Sequence, residues 1–142
     1  MIVTDIDNYI DNKPFYFYSQ DKHVMFRIIR FRLDIAELKA SVIGRHVNHA
    51  HPELLVCACD EKTPETRAHV LLDCPLYNVE RLTLRNTLHH NGFQNYNMTL
   101  QLLLDVNLPE TQYGRLSQQS RLNIYEGIYQ LITGICNKRG LL

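Results

Sequence analysis

The sequence predicts a single, mostly α-helical domain, and three observations favour this fold class. The chain has 142 residues, of which 45% are hydrophobic, enough to bury the core of one domain. Apolar residues recur at helical spacing in two long stretches, one near residue 30 and one near residue 130. Residues that favour helix ends flank both stretches. Because the sequence has no internal repeat and no linker, residues 1–142 are interpreted as one domain.

The first twenty residues are predicted to form an irregular N-terminal arm. They mix Asp and Asn with the aromatic run at residues 15–18, which is interpreted as a short strand or an anchoring arm. Packing of these rings against the helices is the expected arrangement, and stacking on nucleic-acid bases is the alternative.

Residues 21–45 are predicted to form a basic amphipathic helix or a pair of helices. Asp21 or Ser19 would cap the start of this region, and Gly44 would end it. In the helix-pair arrangement, Asp34 would start the second helix after a break. The predicted apolar stripe consists of Val24, Ile28, Phe31, Ile35, Leu38 and Val42.

The middle of the chain is predicted to hold two short helices. Residues 46–53 are interpreted as a loop. Thr63, followed by proline and glutamate, favours a helix start, so a short helix is expected over residues 64–73. A second helix is expected over residues 76–88, and the His-His-Asn-Gly sequence at residues 89–92 would end it.

The C-terminal part, residues 98–142, is also predicted to be helical. Residues 98–104 form a short apolar segment, and residues 105–114 are interpreted as a loop. Ser117 would cap the final helix, and Gly140 with two preceding basic residues would end it. The apolar stripe of this helix consists of Ile124, Ile128, Leu131 and Ile135.

Charge and hydropathy limit the classes of function. The chain has 15 basic and 15 acidic residues, so no overall field draws it to nucleic acid or to a membrane, and such binding would need a local patch. The N-terminus is acidic where a signal peptide is basic, and every apolar run is far shorter than the ~20 residues of a spanning helix. The protein is therefore expected to be soluble and intracellular, in the nucleus or cytoplasm, with no membrane partner.

Three of the four cysteines cluster with a histidine, which favours a metal site, although the single residue between Cys57 and Cys59 is fewer than most zinc turns have. The order is Cys57, Cys59, His69 and Cys74, with one, nine and four residues between successive members. A disulfide framework would need more cysteines in a shorter, secreted chain. Structural zinc sites take four sulfur or nitrogen ligands in a tetrahedron, so we predict a structural Zn²⁺ on these residues. The alternative is that they are unrelated buried cysteines.

Neighbouring residues offer an alternative ligand and compensating charge. His49 or His51 could replace His69, although exposed loop histidines are the commoner case. Three thiolates around a dication leave a local negative charge, and Lys62 and Arg67 are near enough in sequence to offset it.

The fourth cysteine, Cys136, is interpreted as a core thiol within the final helix. The alternative is a nucleophile paired with a histidine, but no residue in the sequence pattern orients such a pair.

Residues 22–51 form a basic region with six cationic side chains against Asp34 and Glu37. Two interpretations are open. A solvated helical face stabilised by ion pairs such as Arg30 with Asp34 at i,i+4 is the commoner case for such a pattern, and a phosphate-contacting surface is the other. The candidate nucleic-acid-binding residues are Lys22, Arg27, Arg30, Arg32, Lys39 and Arg45.

The cysteine–histidine stretch carries a longer pattern. Two cysteines are followed by Glu-Thr-x-x-His-x-Leu-x-x-Cys-Pro, then an aromatic residue and an arginine, and residues 29–33 upstream are rich in arginine. Over residues 27–90 this resembles the C-terminal zinc-binding segment of non-LTR (LINE-type) retrotransposon reverse transcriptases. The family's Gly-His is replaced at residues 33–35, so no role of that histidine is carried over. The matching residues are Glu65, Thr66, His69, Leu71, Cys74, Pro75, Tyr77 and Arg81.

The resemblance implies a non-catalytic accessory domain that holds RNA or DNA and binds zinc through the Cys-Cys-His-Cys set. The sequence contains no Asp-Asp pair of a polymerase and no evident nuclease carboxylate cluster, so no enzymatic activity is expected. The alternative function is a structural or protein-interaction domain that keeps the zinc and has a protein partner. A third hypothesis, a thiol-based redox enzyme, requires a cysteine with a lowered pKa.

Overall fold

The structure, a computed structural model, describes residues 21–92, 98–104 and 117–140, and most of these residues are helical. The described residues contain no strand, and their isolated backbone bridge joins Val56 to Pro64. The predicted mostly α-helical fold, with a Cys/His group between helices, is therefore confirmed. The expectations for residues 1–20, including the aromatic run, and for the loop at 105–114 lie outside the described residues. The helices are α1 (Lys22–Arg32), α2 (Val42–Val47), α3 (Asn78–His90), α4 (Leu100–Leu104) and α5 (Gln118–Arg139).

The basic N-terminal region is a helix pair, one of the two predicted arrangements. Asp21 caps α1, because its carboxylate accepts a hydrogen bond from the backbone N–H of His23 at 2.9 Å. The helix ends at Arg32, and Asp34 adopts the left-handed conformation with φ of 58°. A left-handed residue cannot continue a right-handed helix, so the chain breaks here.

The second helix begins later than predicted. Ser41, and not Asp34, is its N-cap, with the hydroxyl accepting a hydrogen bond from the N–H of Gly44 at 3.2 Å. Because the break changes the direction of the chain, Ile35 and Val42 leave the predicted stripe and are 40% and 50% exposed. The other members of that stripe are buried, namely Val24, Ile28, Phe31 and Leu38.

Gly44 lies inside α2 and does not end it, contrary to the prediction. A Cβ atom at this position would lie 2.4 Å from the carbonyl oxygen of Lys39 and 2.5 Å from that of Leu38. We expect Gly44→Ala to lower the free energy of unfolding by about 1–3 kcal/mol, since backbone must move to admit the methyl group. Urea denaturation measures this, with Val47→Ala, 70% exposed on the same helix, as the control. Equal effects of the two changes would contradict the close approach.

The C-terminal helix α5 forms the centre of the core. It packs against α3 and α1, and α1 also packs against α4. Its ends are as predicted: the Ser117 hydroxyl accepts from the N–H of Ser120 at 3.1 Å, and Gly140 is left-handed with φ of 68°. Its predicted stripe is buried and meets a wider set of fully buried residues, including Ile28, Phe31, Leu71, Leu84, Leu88 and Leu103.

The predicted helix over residues 64–73 is shorter than expected and starts later. Thr63 does not cap it, because its N–H and hydroxyl donate to the carboxylate of Asp60. Pro64 pairs with Val56 in the isolated backbone bridge and so does not lie in a first helical turn. The helical turn begins beyond Thr66, whose hydroxyl accepts a hydrogen bond from the N–H of His69 at 3.1 Å. The remainder is a wide π-type turn, His69–Asp73.

The predicted helix at residues 76–88 is present but shifted. A 3-10 turn, Pro75–Tyr77, precedes α3, which ends at His90 where the stop was predicted. The predicted loop at 46–53 begins inside α2 and ends in a second 3-10 turn, Pro52–Leu54. Within the described ranges, no helix has both the length and the apolar character that crossing a membrane requires.

Candidate metal centre

A closed loop carries the first two sulfur atoms. Its two ends pair through the antiparallel bridge between Val56 and Pro64, and the N–H of Cys57 donates to the carbonyl oxygen of Thr63 at 2.7 Å. Cys57 and Cys59 therefore lie at the start of a loop whose ends are held together by backbone hydrogen bonds. The name metal loop is used below for residues 56–65, which include the residue just after the bridge.

Side-chain hydrogen bonds to Asp60 close the metal loop from within. Its carboxylate accepts from the backbone N–H groups of Lys62 and Thr63, each at 2.9 Å, and from the Thr63 hydroxyl. These hydrogen bonds, led by the one from the hydroxyl, hold the pKa of Asp60 far below its ordinary value. A carboxylate that stays ionised fixes this part of the loop.

The wide turn supplies the other two donor atoms. The N–H of Cys74 donates to the carbonyl oxygen of His69 at 2.7 Å, which closes a π-type turn over five residues. The turn brings the imidazole and the last thiol to the same side of the chain. Arg81 fixes the end of this turn, since its guanidinium donates to the carbonyl oxygens of Cys74 and Val70. Arg81 is only 3% exposed, and burial lowers its pKa.

The four predicted ligands lie together. One donor atom from each of Cys57, Cys59, His69 and Cys74 lies within 4.8 Å of the other three. The Sγ atoms of Cys57 and Cys74 are 3.7 Å apart, and Cys59 Sγ lies 3.3 Å from His69 Nε2. Zinc with bonds of about 2.3 Å to sulfur and 2.0–2.1 Å to nitrogen would place tetrahedral ligands about 3.8 Å (S to S) and about 3.6 Å (S to N) apart. The group is therefore compatible with a single metal ion.

The surroundings of Cys59 and Cys74 favour the protonated form of these two thiols until a cation binds. Cys57, Cys74 and His69 are buried, whereas Cys59 is half-buried. Loss of solvation, followed by the neighbouring Cys57 and Cys74 thiols, raises the pKa of Cys59 to about 12, and burial raises that of Cys74. A divalent cation must therefore displace thiol protons when it binds, and its affinity falls as the pH is lowered.

The alternative histidine ligands lie outside this group. His51 pairs with the carboxylate of Glu53 at 3.2 Å, and the Nδ1 atom of His49 lies 2.9 Å from the carbonyl oxygen of His46. Both histidines are exposed, so the substitution of either for His69 is not supported by the geometry.

Arg67, which was predicted to offset charge at the cysteines, makes its hydrogen bonds at the end of α1. Its Nη1 atom donates to the carbonyl oxygens of Phe31 and Arg32. Arg81 is a buried cation beside the group. From the sequence it was identified only as a residue of the family pattern.

Cys136 is a core thiol, as predicted. It is 1% exposed on α5, and burial raises its pKa. The redox hypothesis requires a lowered cysteine pKa, whereas the pKa values of Cys59, Cys74 and Cys136 are all raised. The geometry therefore gives no activated thiolate among these three.

A buried ion pair, which was not predicted, connects the metal loop to the C-terminal helix. Arg139 donates to both carboxylate oxygens of Glu65, at 2.6 and 2.7 Å, and the N–H of Lys39 donates to the same carboxylate at 2.9 Å. Glu65 is completely buried. Burial acts to lower the pKa of Arg139, but the charge of Glu65 together with the hydrogen bond and charge of Tyr77 and the charge of Cys57 raises it overall. Arg139 lies 74 positions from Glu65, so its place in the sequence predicted only a role at the helix end.

The six candidate nucleic-acid-binding residues have unequal exposure. Four of them are exposed, but Arg27 and Arg32 are half-buried, and the Nη1 atom of Arg32 donates to the carbonyl oxygen of Leu104. Asp34 lies beyond the end of α1 and pairs with Arg45 at 3.4 Å. The exposed members are Lys22, Arg30, Lys39 and Arg45.

Comparisons with known proteins give no match to this chain, whether to protein-family models, to curated proteins or to solved structures. The resemblance over residues 27–90 therefore stays a prediction from the sequence. The geometry of the Cys/His group is the starting point for assigning a function.

Proposed function

We propose that the protein is a non-catalytic accessory domain, folded around one structural zinc ion, that binds RNA or DNA. In this role it would resemble the C-terminal segment of non-LTR retrotransposon reverse transcriptases. The observation that carries the proposal is the convergence of three sulfur atoms and one imidazole nitrogen within 4.8 Å. This convergence is expected if residues 57–74 act as one metal-binding unit.

The chemistry of the donors favours zinc. Three thiolates and one imidazole form a set that suits Zn²⁺, whereas Ca²⁺ and Mg²⁺ prefer oxygen ligands. Four protein ligands complete a tetrahedron and leave no coordination position for water or substrate. The proposed ion therefore stabilises the fold and has no part in a reaction.

The contacts of the family-pattern residues support the resemblance. Glu65 anchors the metal loop to Arg139, and Thr66 accepts the hydrogen bond that starts the His69 turn. Arg81 holds the carbonyl oxygen of Cys74. Residues that match the pattern outside the four donors thus have contacts that position the donors, as expected if the pattern encodes a zinc-binding unit.

The nucleic-acid part of the proposal rests on the resemblance and on the exposed cations around α1. Lys22 and Arg30 on α1 are exposed, as is Lys39 in the segment that follows. We place the protein inside the cell, in the nucleus or cytoplasm, where a reducing environment keeps thiols available for a metal.

Salt-dependent binding to nucleic acid tests this part. The zinc-loaded protein is expected to bind single- or double-stranded RNA or DNA at low salt. The logarithm of its affinity should fall linearly with the logarithm of salt concentration, by about 0.7–0.9 per phosphate contact. In fluorescence anisotropy, Lys22→Gln with Arg30→Gln should flatten this slope. Arg85→Gln, an exposed cation on α3, is the control and should leave the slope nearly unchanged.

The second candidate function is a structural or protein-interaction domain with the same zinc ion. It is favoured by the net charge of zero and by exposed apolar residues such as Val79 (71%), Val47 (70%) and Leu33 (59%). Zinc content does not separate the two candidates. A zinc-loaded protein that binds no nucleic acid at low salt would rule out the first and leave the second.

A further inference from the structure

A pocket lies where the end of α1, the segment before the His69 turn and α4 meet. It has a volume of about 270 Å³, just below the range of about 300–1,000 Å³ that is usual for sites of drug-sized ligands. Such a pocket suits a small group better than a large cofactor. Its lining residues are Arg32, Arg67, Leu100, Gln101 and Leu104, and the name arginine pocket is used for this set.

Backbone hydrogen bonds hold both guanidinium groups in place. Arg67 donates through Nη1 to the carbonyl oxygens of Phe31 at 3.1 Å and Arg32 at 2.7 Å, and Arg32 donates through Nη1 to that of Leu104. A guanidinium has five N–H donors in a rigid fork. The two hydrogen bonds to the end of α1 use only the Nη1 atom of Arg67. The Nε and Nη2 atoms of Arg67 have no hydrogen-bond partner in the described part of the chain.

The lining of the arginine pocket matches an anion. It combines two cations with one amide and two leucines, and none of the five lining residues is acidic. The Nε and Nη2 donors of Arg67 can hydrogen-bond to such an anion. The planar fork of arginine fits phosphate oxygens in a bidentate manner, which makes phosphate the anion that this lining recognises best.

We propose that the arginine pocket binds a phosphate group of an RNA or DNA strand. The choice of a strand as the source of the phosphate rests on the proposed function. Arg67 lies outside the basic region that the sequence predicted, and it is two residues before His69. The pocket therefore joins the metal-binding segment to α1, so that the fold around the metal also positions a phosphate contact.

Reversal of the charge in the pocket tests the inference. Gln101 is exposed on α4, so Gln101→Glu adds a carboxylate without removing either arginine. Gln130→Glu, at an exposed position on α5, is the matched control with the same change in net charge. We expect Gln101→Glu to weaken the binding of zinc-loaded protein to a fluorescent oligonucleotide about tenfold more than the control does. It should also lower the salt slope by about one contact.

Titrations with inorganic phosphate and with adenosine monophosphate, followed by isothermal calorimetry, identify the source of the phosphate. One outcome is that Gln101→Glu abolishes binding of these compounds but affects strand binding no more than the control does. In that case the pocket binds free phosphate compounds, and the claim that the phosphate belongs to a strand is wrong. If both variants behave alike in every titration, the inference is wrong, and strand binding by the unchanged protein would leave the proposed function standing. If the unchanged protein binds no strand, the proposed function fails, and the two titrations alone decide whether phosphate binds.

Discussion

Replacement of Cys74 by serine is expected to abolish zinc binding and cooperative unfolding of the protein. Cys74 and Cys57 are almost completely buried and belong to the same core as Leu71 and Tyr77. In small zinc-binding domains the metal contributes about 10–16 kcal/mol of apparent binding free energy, as much as the whole stability of a typical domain, about 5–15 kcal/mol. Loss of the metal therefore removes the main constraint on residues 56–77. Thermal unfolding followed by circular dichroism, with and without a chelator, measures the effect.

A matched substitution separates loss of the metal from loss of packing. Cys136 is as deeply buried as Cys74 but lies outside the Cys/His group. Cys136→Ser should therefore cost only about 1–3 kcal/mol, keep its zinc and remain sensitive to the chelator. If the two serine variants unfold alike, or if the chelator has no effect on the unchanged protein, the proposed role of the metal in stability is wrong.

Loss of the buried Glu65–Arg139 ion pair is expected to be the second largest effect. Glu65→Gln keeps the volume of the side chain but leaves the guanidinium of Arg139 without its charged partner. Removal of one member of a buried pair usually costs about 3–5 kcal/mol. We expect about 3 kcal/mol here, since the side chain of Arg139 keeps 19% exposure. Urea denaturation of the zinc-loaded protein measures the change in the free energy of unfolding.

A second ion pair on the same stretch of α5 gives the control. Glu80 pairs with Lys138 at 2.7 Å, but the side chain of Lys138 is 50% exposed. Burial acts to raise the pKa of Glu80, and the hydrogen bond and charge of Lys138 reverse this and lower it. Glu80→Gln should cost about 1–2 kcal/mol, less than Glu65→Gln, because half of the Lys138 side chain stays in contact with water although that of Glu80 is only 15% exposed. If Glu65→Gln were no more destabilising than Glu80→Gln, the buried pair would not hold the metal loop against α5.

The parts of the fold that could be predicted from the sequence are those that depend on neighbouring residues. Asp21, Ser117 and Gly140 act at helix ends through contacts with residues two to four positions away, so their residue types were sufficient. The same holds for the Cys/His group, whose members lie within 18 positions of one another and were recognised from donor chemistry together with the family pattern.

The parts that could not be predicted depend on distant contacts or on competition between local structures. The first helix ends because Asp34 is left-handed, although the apolar stripe continues beyond it. Thr63 has the residue type of a helix cap, but its hydroxyl donates a hydrogen bond to Asp60, because the adjacent Pro64 pairs with Val56 and starts no helix. The partner of Glu65 is 74 positions away, and no local pattern identifies it.

X-ray absorption spectroscopy at the zinc edge tests the central claim most directly. The protein is purified without added metal, and its metal content is measured on the same sample. We predict one zinc per chain with three sulfur ligands at about 2.3 Å and one nitrogen ligand at about 2.0–2.1 Å, and loss of the zinc in Cys74→Ser. A protein without bound zinc, or a zinc ion surrounded mainly by oxygen and nitrogen, would contradict the account.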